Sequence, residues 1–365
     1  MLGTTESNQD GVLMYDAIVI GARCAGSPTA MLLARAGHRV LLLDKATFPS
    51  DKLSTHYIQP PGVKALENWG LLDRVIATNA PPITEFRVHL GGVRVPLPPQ
   101  DGVAYCPRRY LLDSILLDAA REAGAEVRTA FKVDQLLMEA DVVTGIRGHG
   151  RDEKPVQEMA RYVIGAEGHH SLVADSVQAP KYREREALTG GYYSYFSGLE
   201  MDAAEVYVSE RGGVLAFPTN DGQVCIAAGS AKANFAEYRK DIEAGFFNIL
   251  DGAPEFAARV RASKREERWM GTVDVPNFFR KPWGPGWALV GDAGYMKDPV
   301  TGFGITDAFR DADLLAAALN NVFARRVAAE QALGGFQAKR DEAASPVYDM
   351  TLAMASGEMT KMLGG

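Results

Sequence analysis

An aspartate closes an apolar run near the end of the chain. Ala288-Leu289-Val290 leads into Gly291-Asp292, and a loop with Pro299, Gly302 and Gly304 precedes the helical pattern of Thr306 to Leu319. The run reads as a buried strand. The glycines permit backbone conformations and close approaches that a side chain forbids. The helix starting near Ile305 points its free N–H groups and positive dipole end at whatever occupies the loop. That is a seat for a flat ligand that becomes anionic, and a reduced flavin is such a ligand. An ordinary strand–turn–helix is the alternative, and the opposite end of the chain weighs against it.

There, the strand Tyr15 to Ile20 runs into Gly21-Ala22-Arg23-Cys24-Ala25-Gly26-Ser27. A helical pattern, Thr29 to Ala36, closes at Gly37, and a second strand, Arg39 to Leu43, ends in Asp44 and Lys45. Strand, glycine turn, helix, strand and acid in this order form a dinucleotide site. The pyrophosphate rests on the amides at the helix start, and Asp44 takes a ribose hydroxyl pair. Ala25 and Lys45 fall within the same seat. Arg23 stands where the usual GxGxxG turn has its second glycine, so its charge reaches either the phosphates or a neighbouring loop. Cys24 reads as a small residue filling the helix entrance.

Between these ends lie the elements that must position them. His56 falls in an irregular, proline-containing stretch ahead of a helix from Pro61 to Trp69. It either faces the ligand or makes a structural hydrogen bond, the commoner use. Thr84 to Pro98 alternates around Gly91-Gly92 and predicts a β-hairpin. Arg109 heads the helix Tyr110 to Ala123; a cation there opposes the dipole, which suggests an anionic partner, with a solvated surface arginine as the alternative. Glu126 to Ile164 reads as three strands with a polar turn over Gly148 to Pro155, and Val133 on them is grouped with the cofactor seat. The last strand opens into Gly165-Ala166-Glu167-Gly168-His169-His170-Ser171. The two adjacent histidines lack a third ligand in register, so no metal site is expected. Tyr182 to Arg280 alternates in short aromatic segments, the pattern of an antiparallel sheet, with a helix from Phe235 to Leu250. Tyr192, Tyr193, Tyr195, Phe196, Phe217 and Trp269 are its concentrated aromatics. One face of such a sheet can wall an apolar substrate pocket. Gln331 to Met362 is helical.

A chain of 365 residues with 47% apolar and 23% charged residues is an ordinary globular protein of one large or two intimate domains. Its net charge of -7 argues against nucleic acid or an anionic membrane as partner. No apolar run is long enough to span a bilayer. Residues 1–14 read as a loose tail without the features of a signal peptide. Cys24, Cys106 and Cys225 suggest no disulfide framework, and a reducing, cytoplasmic setting is expected.

In their order, GARCAG with Asp44, GAEGHHS and GDAGYMKDPVTGFGI resemble the FAD-binding fold of para-hydroxybenzoate hydroxylase and its relatives: group A flavin monooxygenases, geranylgeranyl reductase-like enzymes and flavin-dependent halogenases. The resemblance spans essentially the whole chain. It implies an α/β fold with a Rossmann-like FAD-binding domain over 15–83, 103–180 and 281–330. An interleaved antiparallel sheet domain over 84–102 and 181–280 covers the substrate, and a helical segment fills 331–365. By the resemblance, Gly21 and Gly26 form the pyrophosphate turn, Asp44 binds the adenosine ribose, and Arg109 reaches FAD. Gly165, Glu167 and Gly168 match the second motif, where relatives carry Asp-Gly; here the acid is one methylene longer. Asp292 holds the ribityl and pyrophosphate region, and Pro299, Gly302, Gly304 and Ile305 lie beside the flavin ring. The implied reaction is hydroxylation of an aromatic or polycyclic small molecule with NADH or NADPH and O2 through a flavin C4a-hydroperoxide. His56, Tyr193 and Tyr195 are the candidates for a general base, and Tyr192, Phe196, Phe217 and Trp269 for pocket walls. Reduction of prenyl or alkene double bonds is the alternative. Halogenation fits less well, because Trp283 and Trp287 do not form the Trp-x-Trp-x-Ile-Pro signature, and a non-catalytic FAD carrier fits least.

Overall fold

A computed structural model describes residues 14–51, 54, 56–95, 101–272 and 274–357. Most of the expected N-terminal tail, the end of the hairpin at 96–98 and the end of the last helix beyond 357 lie outside the described residues. The chain opens with β1 (Tyr15–Ile20), α1 (Gly26–Arg35) and β2 (Val40–Leu43), then α2 (Pro60–Asn68) and α3 (Leu72–Ile76). The hairpin β3 (Phe86–Leu90) and β4 (Val93–Val95) precedes α4 (Arg109–Glu122) and β5 (Glu126–Arg128). A meander follows, β6 (Phe131–Glu139), β7 (Val142–Gly150) and β8 (Val156–Gly165), then α5 (Leu172–Ser176) and β9 (Lys181–Arg185). Next come β10 (Thr189–Ser197), β11 (Ala204–Ser209), β12 (Gly212–Pro218) and β13 (Val224–Ala231). The helices α6 (Phe235–Tyr238), α7 (Ile242–Leu250) and α8 (Pro254–Ala262) lead to β14 (Lys264–Arg265), β15 (Met270–Thr272) and β16 (Asn277–Arg280). The chain ends through β17 (Trp283–Gly284), β18 (Trp287–Leu289), β19 (Tyr295–Met296), α9 (Gly304–Phe323) and α10 (Ala329–Ala355).

The first sheet runs β17-β18-β8-β1-β2-β5. Its centre is parallel, with β1 between β2 and β8 and β18 outside β8. Both faces are covered, so β1 and β2 are nearly continuous apolar runs. One face packs on α1, α4 and α9, through residues such as Val19, Leu42, Leu116 and Phe309. The other packs on the meander and α5, through Ile18, Leu41, Ile146 and Val173. β8 serves three partners: Val156 to Met159 pair antiparallel with β7, while its second half pairs parallel with β1 and with β18.

The second sheet runs β14-β10-β13-β12-β11-β3-β4, with β15 beside β10. It is antiparallel except where β3 joins β11 in parallel. Its outer face carries α7 and α8 on Phe196, Val214, Ile226 and Ala228. Its inner face meets the first domain through Tyr57, Ile83, Tyr195 and Phe217.

Two expectations for this region are corrected. The expected segments, β10 to β13, do pair antiparallel in one sheet, but the range 181–280 given to it is too wide: β9 and β16 pair with each other and with β19 in a separate three-stranded sheet. Phe279 from that sheet packs with Tyr295 and with Tyr348 of α10, so these aromatics bind the C-terminal helix. The single helix expected over Phe235 to Leu250 is broken, because the Asp241 side chain accepts the Ala244 N–H at 3.0 Å and starts α7 afresh. Among the described residues no helix is long and apolar enough to cross a membrane.

Candidate functional site

The carboxyl ends of β1, β2, β8 and β18 open into a cavity of about 2160 Å³, walled on the far side by the second sheet and at its mouth by the end of α10. A pocket for a drug-sized ligand is about 300–1,000 Å³, so this space has room for more than one such molecule. Every residue expected in the cofactor seat borders it except Gly26 and Gly165. Gly26 serves the packing instead, since a Cβ there would lie 1.8 Å from the Gly21 carbonyl oxygen. Gly21, at φ 103°, would put a Cβ 2.5 Å from the Ala166 oxygen. The two glycines let α1 start directly against β1 and the loop after β8.

Asp44 is buried, and its two carboxylate oxygens accept the Ala22 and Ala46 N–H groups, each at 2.8 Å. The acid therefore braces the glycine turn while bordering the cavity. Arg23 takes the second of its two sequence readings. Its guanidinium turns to the neighbouring loop and to α4, bonding Ser50 Oγ at 3.0 Å and Asp113 at 2.5 Å. Arg109 grips the same Asp113 through Nε at 3.1 Å and Nη2 at 2.9 Å. Its oddity at a helix start thus has an internal cause, an acid one turn along, and the surface-arginine alternative is corrected because Arg109 is buried. Two cations share one buried carboxylate, which leaves a positive balance beside the turn.

Asp292 lies in a short 3₁₀ turn after β18. Its side chain is exposed to the cavity. Desolvation pushes its carboxyl up to about 6, against the opposing pull of Lys297 and Arg109. The loop beyond is fixed by Asp298, which accepts the Thr189 hydroxyl at 2.6 Å and the Val300 N–H at 3.1 Å. Gly302 sits at φ 65°, the left-handed region, and α9 begins two residues later. Glu167 does not reach outward: its carboxylate accepts the Ser171 hydroxyl at 2.8 Å and the Val173 N–H at 3.3 Å, and burial raises its pKa.

The second sheet grades from bulky to bare along its inner face. In the bulky row, Tyr195, Cys225 and Phe217 are cross-strand partners, as are Ala204 and Phe86. The next row is Tyr193, Ala227, Leu215, Val206 and Val88, and the third is Gly191, Gly229, Gly213, Val208 and Leu90. The second and third rows border the cavity. The sheet wall is therefore apolar, and three of its strands present bare backbone side by side.

The aromatic expectations divide by this pleat. Phe196 and Trp269 are corrected as pocket walls: they pack with Phe246 on the outer face, Trp269 at 4.5 Å between ring centroids. Tyr192 borders the cavity, but its ring is stacked on Phe235 on that same outer face. Phe217 faces inward but is fully buried in the bulky row, edge-on to Tyr57 and His56. Alternation separated the faces, but nothing local marked which face meets the cavity. Val206, Val208, Leu215 and Ala227 were missed for the same reason, although the alternation from Ala204 to Glu210 carried the signal for the first two. Lys297, Met350 and Met354, also on the cavity wall, had no sequence signal in a chain read without its tertiary contacts.

Of the three candidate bases, one reaches the cavity. His56 is fully buried at φ 38°, with Nε2 2.7 Å from Tyr195 Oη and Nδ1 without a hydrogen-bond partner. Tyr195 is also fully buried, under the Arg108 guanidinium at 3.7 Å from its ring centre. Burial, then the charges of Arg109 and Arg108, hold His56 well below its ordinary pKa. Tyr193 borders the cavity, and its hydroxyl oxygen accepts the Ser54 N–H at 3.2 Å. Desolvation raises its pKa, so it stays a neutral phenol whose own hydrogen is free to donate.

The sequence profile of the "FAD binding domain" family matches residues 14–351. A digeranylgeranylglycerophospholipid reductase of Methanopyrus kandleri is 29% identical over 313 residues, 80% of this chain and 73% of the relative. The squalene epoxidase erg1 of Schizosaccharomyces pombe is 24% identical over 316 residues, 82% of this chain and 68% of the relative. Among solved structures, the myxobacterial chondrochloren halogenase CndH superposes with a TM-score of 0.84 at 23% identity, covering 93% of this chain and 82% of that one.

Proposed function

The chain belongs to the FAD binding domain family, a family of FAD-dependent oxidoreductases, and from that premise we propose that it is a monooxygenase that inserts oxygen from O2 into a large apolar, aromatic or polycyclic molecule, with NADH or NADPH as reductant. The observation that carries the reading is the apolar sheet wall facing the cofactor seat across one continuous cavity.

The residues present fit FAD. The Gly21–Gly26 contact leaves the start of α1 open to a pyrophosphate. Asp44 stands at the end of β2 for a ribose, and the Asp292 turn and the 298–304 loop take the remainder of the cofactor. Bound FAD supplies the electron transfer to O2 that this chemistry needs. The protein's own work is positioning and water exclusion. The rows led by Tyr193 and Gly191 bury an apolar substrate against the seat. Tyr193 donates its hydroxyl hydrogen to a substrate oxygen, because the Ser54 N–H already occupies its acceptor side. His56 and Tyr195 act behind it, holding the bulky row closed.

Reduction of an alkene is the second reading. It is favoured by the absence of charged side chains in the two cavity-facing rows of the sheet wall and by the 29% identity to a reductase. One experiment separates the two. FAD-loaded enzyme is given NADPH or NADH, a panel of fused-ring aromatics and isoprenoids, and ¹⁸O2. A product carrying one ¹⁸O is expected. A product gaining two hydrogens without O2 would replace monooxygenation by reduction.

A further inference from the structure

Two of the cations on the cavity wall are buried, Arg109 and Lys297. Arg109 belongs to the glycine-turn end and shares Asp113 with Arg23. Lys297 stands at the other end, directly before Asp298-Pro299. Its ammonium is bonded to Asp307 Oδ2 in the first turn of α9. The other oxygen of Asp307 accepts from Arg310 Nη1 at 2.7 Å, and Arg310 holds the buried Asp311 through Nε at 2.9 Å and Nη2 at 2.6 Å. Lys297, Asp307, Arg310 and Asp311 are two cations and two anions, a neutral tetrad. Of the four, only Lys297 and Asp307 border the cavity.

This arrangement bears on the cofactor. A carboxylate in the first turn suits the helix itself but repels an anion seated over the same end. FAD that takes up two electrons and one proton gains one negative charge, and the 298–304 loop with the start of α9 is its seat in the reading above. We propose that Lys297 sets the redox balance of bound FAD: by neutralising Asp307 it keeps the start of α9 positive toward the cavity and favours the reduced anion over the oxidised cofactor. Without Lys297 the tetrad carries a net negative charge at that place. The low-dielectric surroundings of two groups at most 7% exposed make that charge felt across the seat. The inference rests on FAD lying along this loop.

The test uses the full FAD-loaded chain and four variants: Lys297→Met, Lys297→Arg, Asp307→Asn and the Lys297→Met/Asp307→Asn pair. The readouts are the midpoint potential of bound FAD and the dissociation constant of oxidised FAD. Lys297→Met should weaken the reduced form about tenfold more than the oxidised form, a potential lower by about 30 mV for a two-electron couple. Lys297→Arg should keep the wild-type potential, Asp307→Asn should raise it, and the pair should return close to wild type. An unchanged potential in Lys297→Met, or equal losses for the two redox forms, overturns the proposal and leaves the monooxygenase reading standing. Wild-type protein that binds no FAD would overturn both. If Lys297→Met does not fold, Asp307→Asn decides: its unchanged potential also overturns the inference.

Discussion

Tyr193 is the residue on which the chemistry proposed for the sheet wall can be tested most directly. Tyr193→Phe removes one hydroxyl donor from the cavity and leaves the apolar ring. Binding of a hydroxylated ring compound should weaken about tenfold, the effect of roughly 1.4 kcal/mol for a lost hydrogen bond. FAD affinity should stay at wild type, read by titration of flavin absorbance; a parallel loss of FAD would show the hydroxyl to be structural. Asp292 gives a pH signature. Desolvation pushes its folded carboxyl up to about 6, above the ordinary aspartate value of about 4. Because the folded pKa is raised, the contribution of this group to stability is full below about pH 4 and is lost as pH rises through about 6. The thermal midpoint of the FAD-free wild type, less that of Asp292→Asn, should therefore fall between those limits, and a flat difference would show the carboxyl to be well solvated. At this scale the sequence was informative where chemistry is local. Asp44 and Asp292 follow their strands directly and were readable from spacing. The acid that Arg23 bonds and the tyrosine that His56 bonds lie 90 and 139 residues away, and no spacing rule reaches that far.

At the scale of elements, glycines test the argument in opposite directions. Gly26→Ala would force a methyl to within 1.8 Å of a backbone oxygen. The turn must open, so FAD binding should fall by more than tenfold while the circular dichroism spectrum keeps its α/β form; retained affinity would refute the close packing of α1 on β1. Gly213 is different. It lies inside β12, a place where glycine weakens a strand, yet the nearest atom to an added Cβ is 4.0 Å away. Gly213→Leu should fold normally and fill the cavity. Fused three-ring ligands should lose about tenfold in affinity while single-ring ligands keep theirs, measured by flavin absorbance change; equal effects on both would mean that ligands do not lie against this row. The elements themselves were largely legible, because periods of two and of 3.6 are local properties. Sheet membership was not. β9 and β16 are short runs with no local mark of a different sheet, and it is their pairing with each other and the packing of Phe279 on Tyr348 that separate them.

The whole molecule is closed by α10, and one side chain does much of the closing. Arg340 is 1% exposed. It donates to the Gly294 and Arg280 carbonyls at 3.0 Å each and to the Tyr182 hydroxyl at 2.7 Å. It therefore joins the last helix to the Asp292 turn and to the three-stranded sheet. Arg340→Met should cost about 3 kcal/mol, the order of a broken buried charged network, seen as a lower urea midpoint with an unchanged slope. A loss under about 0.5 kcal/mol, the level of an ordinary surface change, would show that α10 is held by its apolar contacts alone. The row of Gly191, Gly229 and Gly213 has one consequence beyond binding. A wall without side chains is a blank that heredity can write on: single-base changes at Gly213 can add volume at a site where the backbone is unstrained, whereas Gly191 and Gly229 are locked by neighbours at 2.7 and 3.0 Å. Descendants of this gene can thus narrow their diet one codon at a time without rebuilding the fold.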